Sequence, residues 1–182
     1  MLTLLILLLF AIGFYTGARR GLILQVLYTF GYFCSYFIAK TYYKSFASHL
    51  ELFIPYPSPT PDTKLVFFNQ KLTLDLDQAF YGAVAFLLIL AAGWLVVRFL
   101  AIFAHGLVFV PVLKQANWLA GGLISLIVVY IGVFLVLSTV SMLPVDSVQN
   151  QFKNSGLASF IIKDTPIFSK QIYHLWIEQM IK

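Results

Sequence analysis

The chain has 182 residues, 60% of them hydrophobic and 10% charged, with a formal net charge of +5 and a pI near 9.3. Soluble domains carry about 25% charged residues, so this composition excludes a separate soluble enzyme domain and predicts a polytopic membrane protein. The basic residues stand singly apart from Arg19-Arg20, which makes the lipid bilayer with its anionic headgroups, and not nucleic acid, the expected partner.

Met1 to Ala18 and Gly21 to Ala39 are charge-free runs joined by Arg19-Arg20. At ~1.5 Å per residue each nearly crosses a ~30 Å hydrocarbon layer, and neither has the polar face of a soluble helix. Spans are therefore predicted over 2–18 and 21–39, and the first is expected to be retained because it lacks a basic leader and a cleavage pattern. A guanidinium is costly at the bilayer centre but can reach water from the surface, so Arg19 and Arg20 mark a turn. Gly13, Gly17 and Gly21 share one side of a helix, and Gly31, Ser35 and Ala39 repeat the spacing. Such stripes let backbones approach closely and predict a tight helix seam, within the molecule or between copies, although glycine is also simply frequent in membrane helices. The single Cys34 lies in the second run and makes no intrachain disulfide.

From Lys40 to Asp77 charges return, and this stretch is expected to be an aqueous loop that starts with a helix end at headgroup level carrying Tyr42, Tyr43, Phe46, Leu50, Leu52 and Phe53. Proline at every second position from Pro55 to Pro61 predicts an extended spacer. Leu65 to Leu76 has mixed β-like character. Asp75 and Asp77 then favour a helix N-terminus, opening a third span over 78–100. Arg98 is expected at the interface that ends this span, with Trp94 one turn earlier, the alternative being a place inside a longer helix that continues through Phe103; His105 follows as an interfacial polar group.

Pro111 to Trp118 is expected to be a short turn with Lys114 at the surface. The longest charge-free stretch holds the fourth span, over 117–143, with Gly121-Gly122 and Ser125 as another close-approach surface and Pro144 as its end. Residues 145–182 are too charged to span and read as an amphipathic tail. Thr165 is expected to cap a helix with Pro166 at its first position, and Phe168, Ile172, Leu175, Trp176 and Met180 to form its apolar face. Trp176 then anchors the tail in the membrane interface, or the tail packs on the aqueous ends of the spans.

The expected architecture is all-α: four transmembrane helices forming a membrane domain over 1–144, the central loop 40–77, and the tail 145–182. The short turns carry Arg19, Arg20, Arg98 and Lys114 and no acid, which favours that side as cytoplasmic; the lysine count of the other side opposes it. The orientation expected is N-terminus and C-terminus outside. No phosphate loop, nucleophile elbow, zinc-spaced Cys or His set or HExxH occurs, and all seven acids lie outside the apolar runs. No enzyme activity, cofactor or metal is expected.

The stretch Gly17-Ala-Arg-Arg-Gly-Leu-Ile-Leu-Gln25, the run into Ala39-Lys-Thr-Tyr-Tyr43, and Pro111-Val-Leu-Lys-Gln-Ala-Asn117 leading to Gly121-Gly122 resemble the colicin V production (CvpA) family. The central Glu51-Leu-Phe-Ile-Pro-Tyr-Pro57 stretch and the tail are similar to its Gram-positive branch. Leu2-Thr3 stands where the family often has an acid, and Trp118 where it often has a basic residue. The resemblance implies a bacterial cytoplasmic-membrane protein associated with toxin or bacteriocin production or export, with no catalytic residues. Two functions follow as expectations: an accessory or scaffold protein that assembles with itself or with an export component, or a subunit of a small oligomeric channel or transporter lined by Arg98, Gln25, His105 and Asn117.

Overall fold

The computed structural model describes residues 1–57, 59, 63–73, 75–104 and 114–181. Its elements are α1 (Leu2–Arg20), α2 (Leu22–Leu50), the single turn α3 (Gln70–Thr73), α4 (Leu76–Ala104), α5 (Lys114–Val140), α6 (Asp146–Lys153), α7 (Gly156–Asp164), α8 (Phe168–Tyr173) and a π-helical turn (His174–Glu178). Helices α1, α2, α4 and α5 are long and apolar enough to cross a membrane. Their outward faces carry exposed Leu5, Leu8 and Ile12, Phe30, Phe33 and Phe37, Leu95 and Phe99, and Leu123 and Ile127. Gln25, Ser35, Ser125, Ser138 and Thr139 are buried. Apolar outside with small and polar groups inside is the arrangement that lipid, not water, stabilises. The protein is an all-α, multi-pass membrane protein.

Two sequence expectations change. Helix α2 does not stop at Ala39 but continues to Leu50, because the charges beyond Lys40 occupy one side only. Ala39, Tyr43, Ala47 and Leu50 are buried at helical spacing, while Lys40, Lys44, Ser45 and His49 are exposed. Charge marked the exit from the bilayer, not the end of the helix. The β-like stretch Leu65 to Leu76 forms no strand among the described residues; it supplies bends, α3 and two buried leucines, Leu65 and Leu76. Pro55 to Pro57 is free of helix and strand, and Ser58 and 60–62 lie outside the described residues, as do His105 and 106–113, which include Pro111.

The chain forms two compact units, one of Met1–Leu4, Thr41–Leu87 and Phe134–Lys182, the other of Leu5–Lys40 and Leu88–Val133. The tail therefore shares a unit with the central loop and does not form a region of its own from residue 145.

In the first unit buried side chains tie loop, tail and helix ends together. Gln149, 3% exposed, donates from Nε2 to the carbonyls of Ser141 (3.1 Å) and Leu143 (2.9 Å) and accepts at Oε1 from the Val66 N–H (3.0 Å). Both amide hydrogens and the amide oxygen are engaged, as burial demands. The Tyr56 hydroxyl donates to the Met142 carbonyl at 2.8 Å and the Tyr81 hydroxyl to that of Ile54 at 2.9 Å. Near the N-terminus the Thr3 and Ser155 hydroxyls are 2.9 Å apart, and Ser155 caps α7. The proline stretch is thus tied down at Tyr56.

Candidate functional site

In the second unit the glycines of α1 meet α5. A Cβ on Gly13 would lie 2.6 Å from Val129 Cγ2, and one on Gly17 would collide with Ser125 Cβ and the Gly121 carbonyl, so neither position has room for a side chain. The closeness lets Ser125 Oγ donate to the Gly13 carbonyl at 2.7 Å, a bond between spans. Gly122 faces the Phe14 ring, which also stands edge-on to Trp118 with centroids 5.4 Å apart. The pairs run Gly13 to Val129 and Gly17 to Gly121, so α1 and α5 are antiparallel.

At the end of this seam the chain reverses at Gly21, whose φ of +79° is the left-handed conformation that a glycine adopts without a Cβ penalty. Asn117 of α5 sits against it. Its Oδ1 accepts from the Leu22 N–H at 2.7 Å, capping α2 from a neighbouring helix. Sequence reasoning gave Asn117 only a place on a channel wall; its position four residues before Gly121, one helical turn, was the available signal.

A second seam joins α2 to α4. Gly31 faces Val97, whose Cγ2 would lie 2.6 Å from a Cβ at that position, and Ser35 faces Gly93, while Ala39 is fully buried. Ser35 Oγ is satisfied within its own helix by the Gly31 carbonyl at 2.9 Å. Gly13, Gly17, Gly31, Ser35, Gly121 and Gly122 thus each face a neighbouring helix of the same chain, while Gly21 forms the turn.

The arginines fall differently. Arg19 is exposed, 5.8 Å from the Tyr15 ring centroid. Arg20 turns inward: its guanidinium lies 4.3 Å from the Tyr28 ring centroid and donates from Nη1 to Gln25 Oε1 at 3.4 Å. Gln25 itself is 1% exposed. Arg98 is not in a turn. Helix α4 runs on to Ala104 because nothing between Phe99 and Ala104 breaks it, and this leaves Arg98 within the helix with its guanidinium 4.8 Å from the Trp94 ring centroid. Lys114 opens α5; its side chain lies outside what the structure describes.

The tail in the first unit corrects two expectations. Trp176 is 0% exposed and packs edge-on against Phe86 with centroids 5.6 Å apart, so it anchors protein to protein and not the tail to lipid. The Tyr43 hydroxyl completes the dock by donating to the Leu175 carbonyl at 2.7 Å. Thr165 closes α7 instead of opening α8: its hydroxyl donates to the Ile161 carbonyl, and α8 starts only after Ile167. The π-helical turn places His174 Nδ1 2.5 Å from Glu178 Oε2 on the wall of a groove of about 610 Å³ that Phe67, Phe134, Lys163 and Lys170 also line. Among the described residues no three His, Cys, Asp or Glu side chains gather as metal ligands.

These features are set on a chain whose residues 2–166 match the family model for the colicin V production protein. The chain is similar to the "Uncharacterized transmembrane protein YshB" of Bacillus subtilis (strain 168), with 34% identity over 177 residues and 97% of both chains covered. No solved structure matches. On the family match and this full-length relative, the chain belongs to the colicin V production protein family.

Proposed function

We propose that the protein is a non-catalytic accessory or scaffold protein of the bacterial cytoplasmic membrane, serving production or export of a secreted peptide toxin, with both termini outside. The observation that carries the scaffold role is that its small-residue stripes pack against each other inside one chain. This leaves apolar outer faces on the spans and an ordered unit of loop and tail as surfaces for an export component or a second copy. The placement of all seven acids outside the apolar runs supports the absence of catalysis and of proton coupling. The link to toxin rests on the family's description.

A channel or transporter subunit is the second reading, favoured by the pairing of Arg20 with Gln25 and the Tyr28 ring among the spans. The two are separated by deleting the protein from a toxin-producing host and measuring toxin in medium and cells. The scaffold role predicts that the wild type and Arg98→Ala restore secretion and Gly17→Leu does not. Loss with Arg98→Ala at normal membrane levels would turn the choice to the channel, and unchanged secretion on deletion would remove the toxin role. Orientation is tested in a Cys34→Ser background with an impermeant thiol reagent: Ser58→Cys labels in intact cells and Arg19→Cys, at the exposed position of the turn, does not, the reverse pattern inverting the topology.

A further inference from the structure

The groove beside the π-helical turn lies wholly within the first unit. Phe134 and Ser138 bring the last turns of α5, a candidate span, to its lining. The central loop adds Phe67, and the tail adds Lys163, Lys170 and Ile177. Its volume of about 610 Å³ falls in the range of small-molecule sites, roughly 300–1,000 Å³.

The lining is mainly aromatic and aliphatic, and its charges are unequal. Lys163 and Lys170 stand against one carboxylate, that of Glu178, which His174 already engages at 2.5 Å. Among the described residues neither lysine makes an ion pair. Lys163 Nζ lies 5.6 Å from the Phe67 ring centroid, and Phe67 packs edge-on against the buried Phe152 with centroids 5.5 Å apart. A cation already held over a ring loses less side-chain entropy when an anion meets it.

Ser138 is an independent sign that the groove takes a polar group. Of the serines in the lining, Ser141 donates to the Ser138 carbonyl and Ser169 to that of Thr165, each at 2.7 Å. Ser138 is 7% exposed, and among the described residues its hydroxyl has no partner. A hydroxyl so buried ordinarily has one, and the space beside this one is the groove.

A ligand that fits is apolar over most of its length and anionic at one end. A peptide would bring an N–H and a C=O for every residue, and among the described residues there is no strand edge to pair them. An alkyl chain brings no such groups, and an amphiphile dissolved in the bilayer meets the groove at the end of α5. We propose that this groove binds a single-chain fatty carboxylate. The alkyl chain lies against Phe67, Phe134 and Ile177, and the carboxylate is taken up by Lys163 and Lys170 with the Ser138 hydroxyl as a further donor. The site goes beyond the scaffold role and does not rest on it.

The test uses the full chain in phosphatidylcholine nanodiscs and a palmitate analogue with a diazirine on its alkyl chain. After photolysis the labelled peptides are mapped, with palmitate, hexadecanol or phosphatidylglycerol as competitor. The double variant Lys163→Gln/Lys170→Gln and Ser138→Ala are compared with Lys153→Gln, a change at an exposed lysine of the same unit outside the groove. Melting temperature is checked for each, and the double variant, altered only at exposed positions, decides the matter if Ser138→Ala does not fold. Saturable labelling of the groove peptides, displaced by palmitate and not by hexadecanol, is expected. It should weaken about tenfold or more in the double variant, about threefold or more in Ser138→Ala, and less than about twofold in Lys153→Gln. Unchanged labelling in the double variant or in folded Ser138→Ala would overturn the proposal. Displacement by phosphatidylglycerol and not by palmitate would overturn it in favour of a two-chain lipid, and labelling that does not saturate would overturn it in favour of simple partition into the bilayer.

Discussion

Asn117 Oδ1 accepts a hydrogen bond from the Leu22 N–H at 2.7 Å, so a side chain of α5 caps the helix that begins after the α1 turn. The bond joins residues 95 positions apart and explains why the turn needs only Gly21 between two spans. Loss of a cap costs about 1 kcal/mol, so Asn117→Ala is expected to lower the melting temperature in detergent modestly. Gly21→Ala should lower it further. A Cβ there meets Asn117 Nδ2 at 2.5 Å and the positive φ adds about 1–2 kcal/mol of strain. Equal melting of Gly21→Ala and the wild type would show that the turn is not built this way.

Gln149 does comparable work in the first unit. Replacing it with Leu strands the Val66 N–H and the Ser141 and Leu143 carbonyls, at roughly 1–3 kcal/mol for each group that water cannot reach. Gln149→Leu is expected to speed protease cleavage near Val66 at least several-fold while the spans stay protected. Unchanged cleavage would mean that the loop is held by something else.

Tyr56 gives the same unit a dependence on high pH. Burial pushes its hydroxyl up to about 12 from an ordinary value near 10, and the Asp77 carboxylate and Tyr81 add to the shift. A raised value in the folded state means that the neutral phenol is favoured there. Its contribution is complete below about pH 10 and is lost as pH rises through 12. Resistance of the loop to protease should therefore fall between pH 10 and 12, and by less in Tyr56→Phe, which has no phenol to ionise. Superimposable profiles for the two proteins would rule Tyr56 out as the cause.

How much of this was legible in the sequence depends on the range of the interaction. The spans and the glycine stripes were, since apolar length and four-residue spacing are local properties. The end of α2 was not, because Lys40 and Lys44 look like a loop until Tyr43 and Ala47 are known to be covered. Arg98 left two readings open for a related reason: an arginine suggests a helix end, and only the fold shows α4 continuing past it with the Trp94 ring beside it. Gln149 and Asn117 gave little signal, each being one polar residue whose partners are carbonyls or N–H groups set by tertiary packing. The apolar face that holds Trp176 was visible, but only the fold tells whether lipid or Phe86 covers it.

The claim on which the account turns is that the small-residue stripes close within one chain. A Cβ on Gly13 lies 3.0 Å from Val129 Cβ, close to the ~3.8 Å of a disulfide and able to relax once the valine methyls are gone. Gly13→Cys with Val129→Cys, in a Cys34→Ser background, is oxidised in native membranes and examined on a non-reducing gel. A disulfide-bonded product running at the mass of a single chain is predicted. A product at twice that mass, with none at the monomer position, would show that the stripes join two copies and would contradict the account.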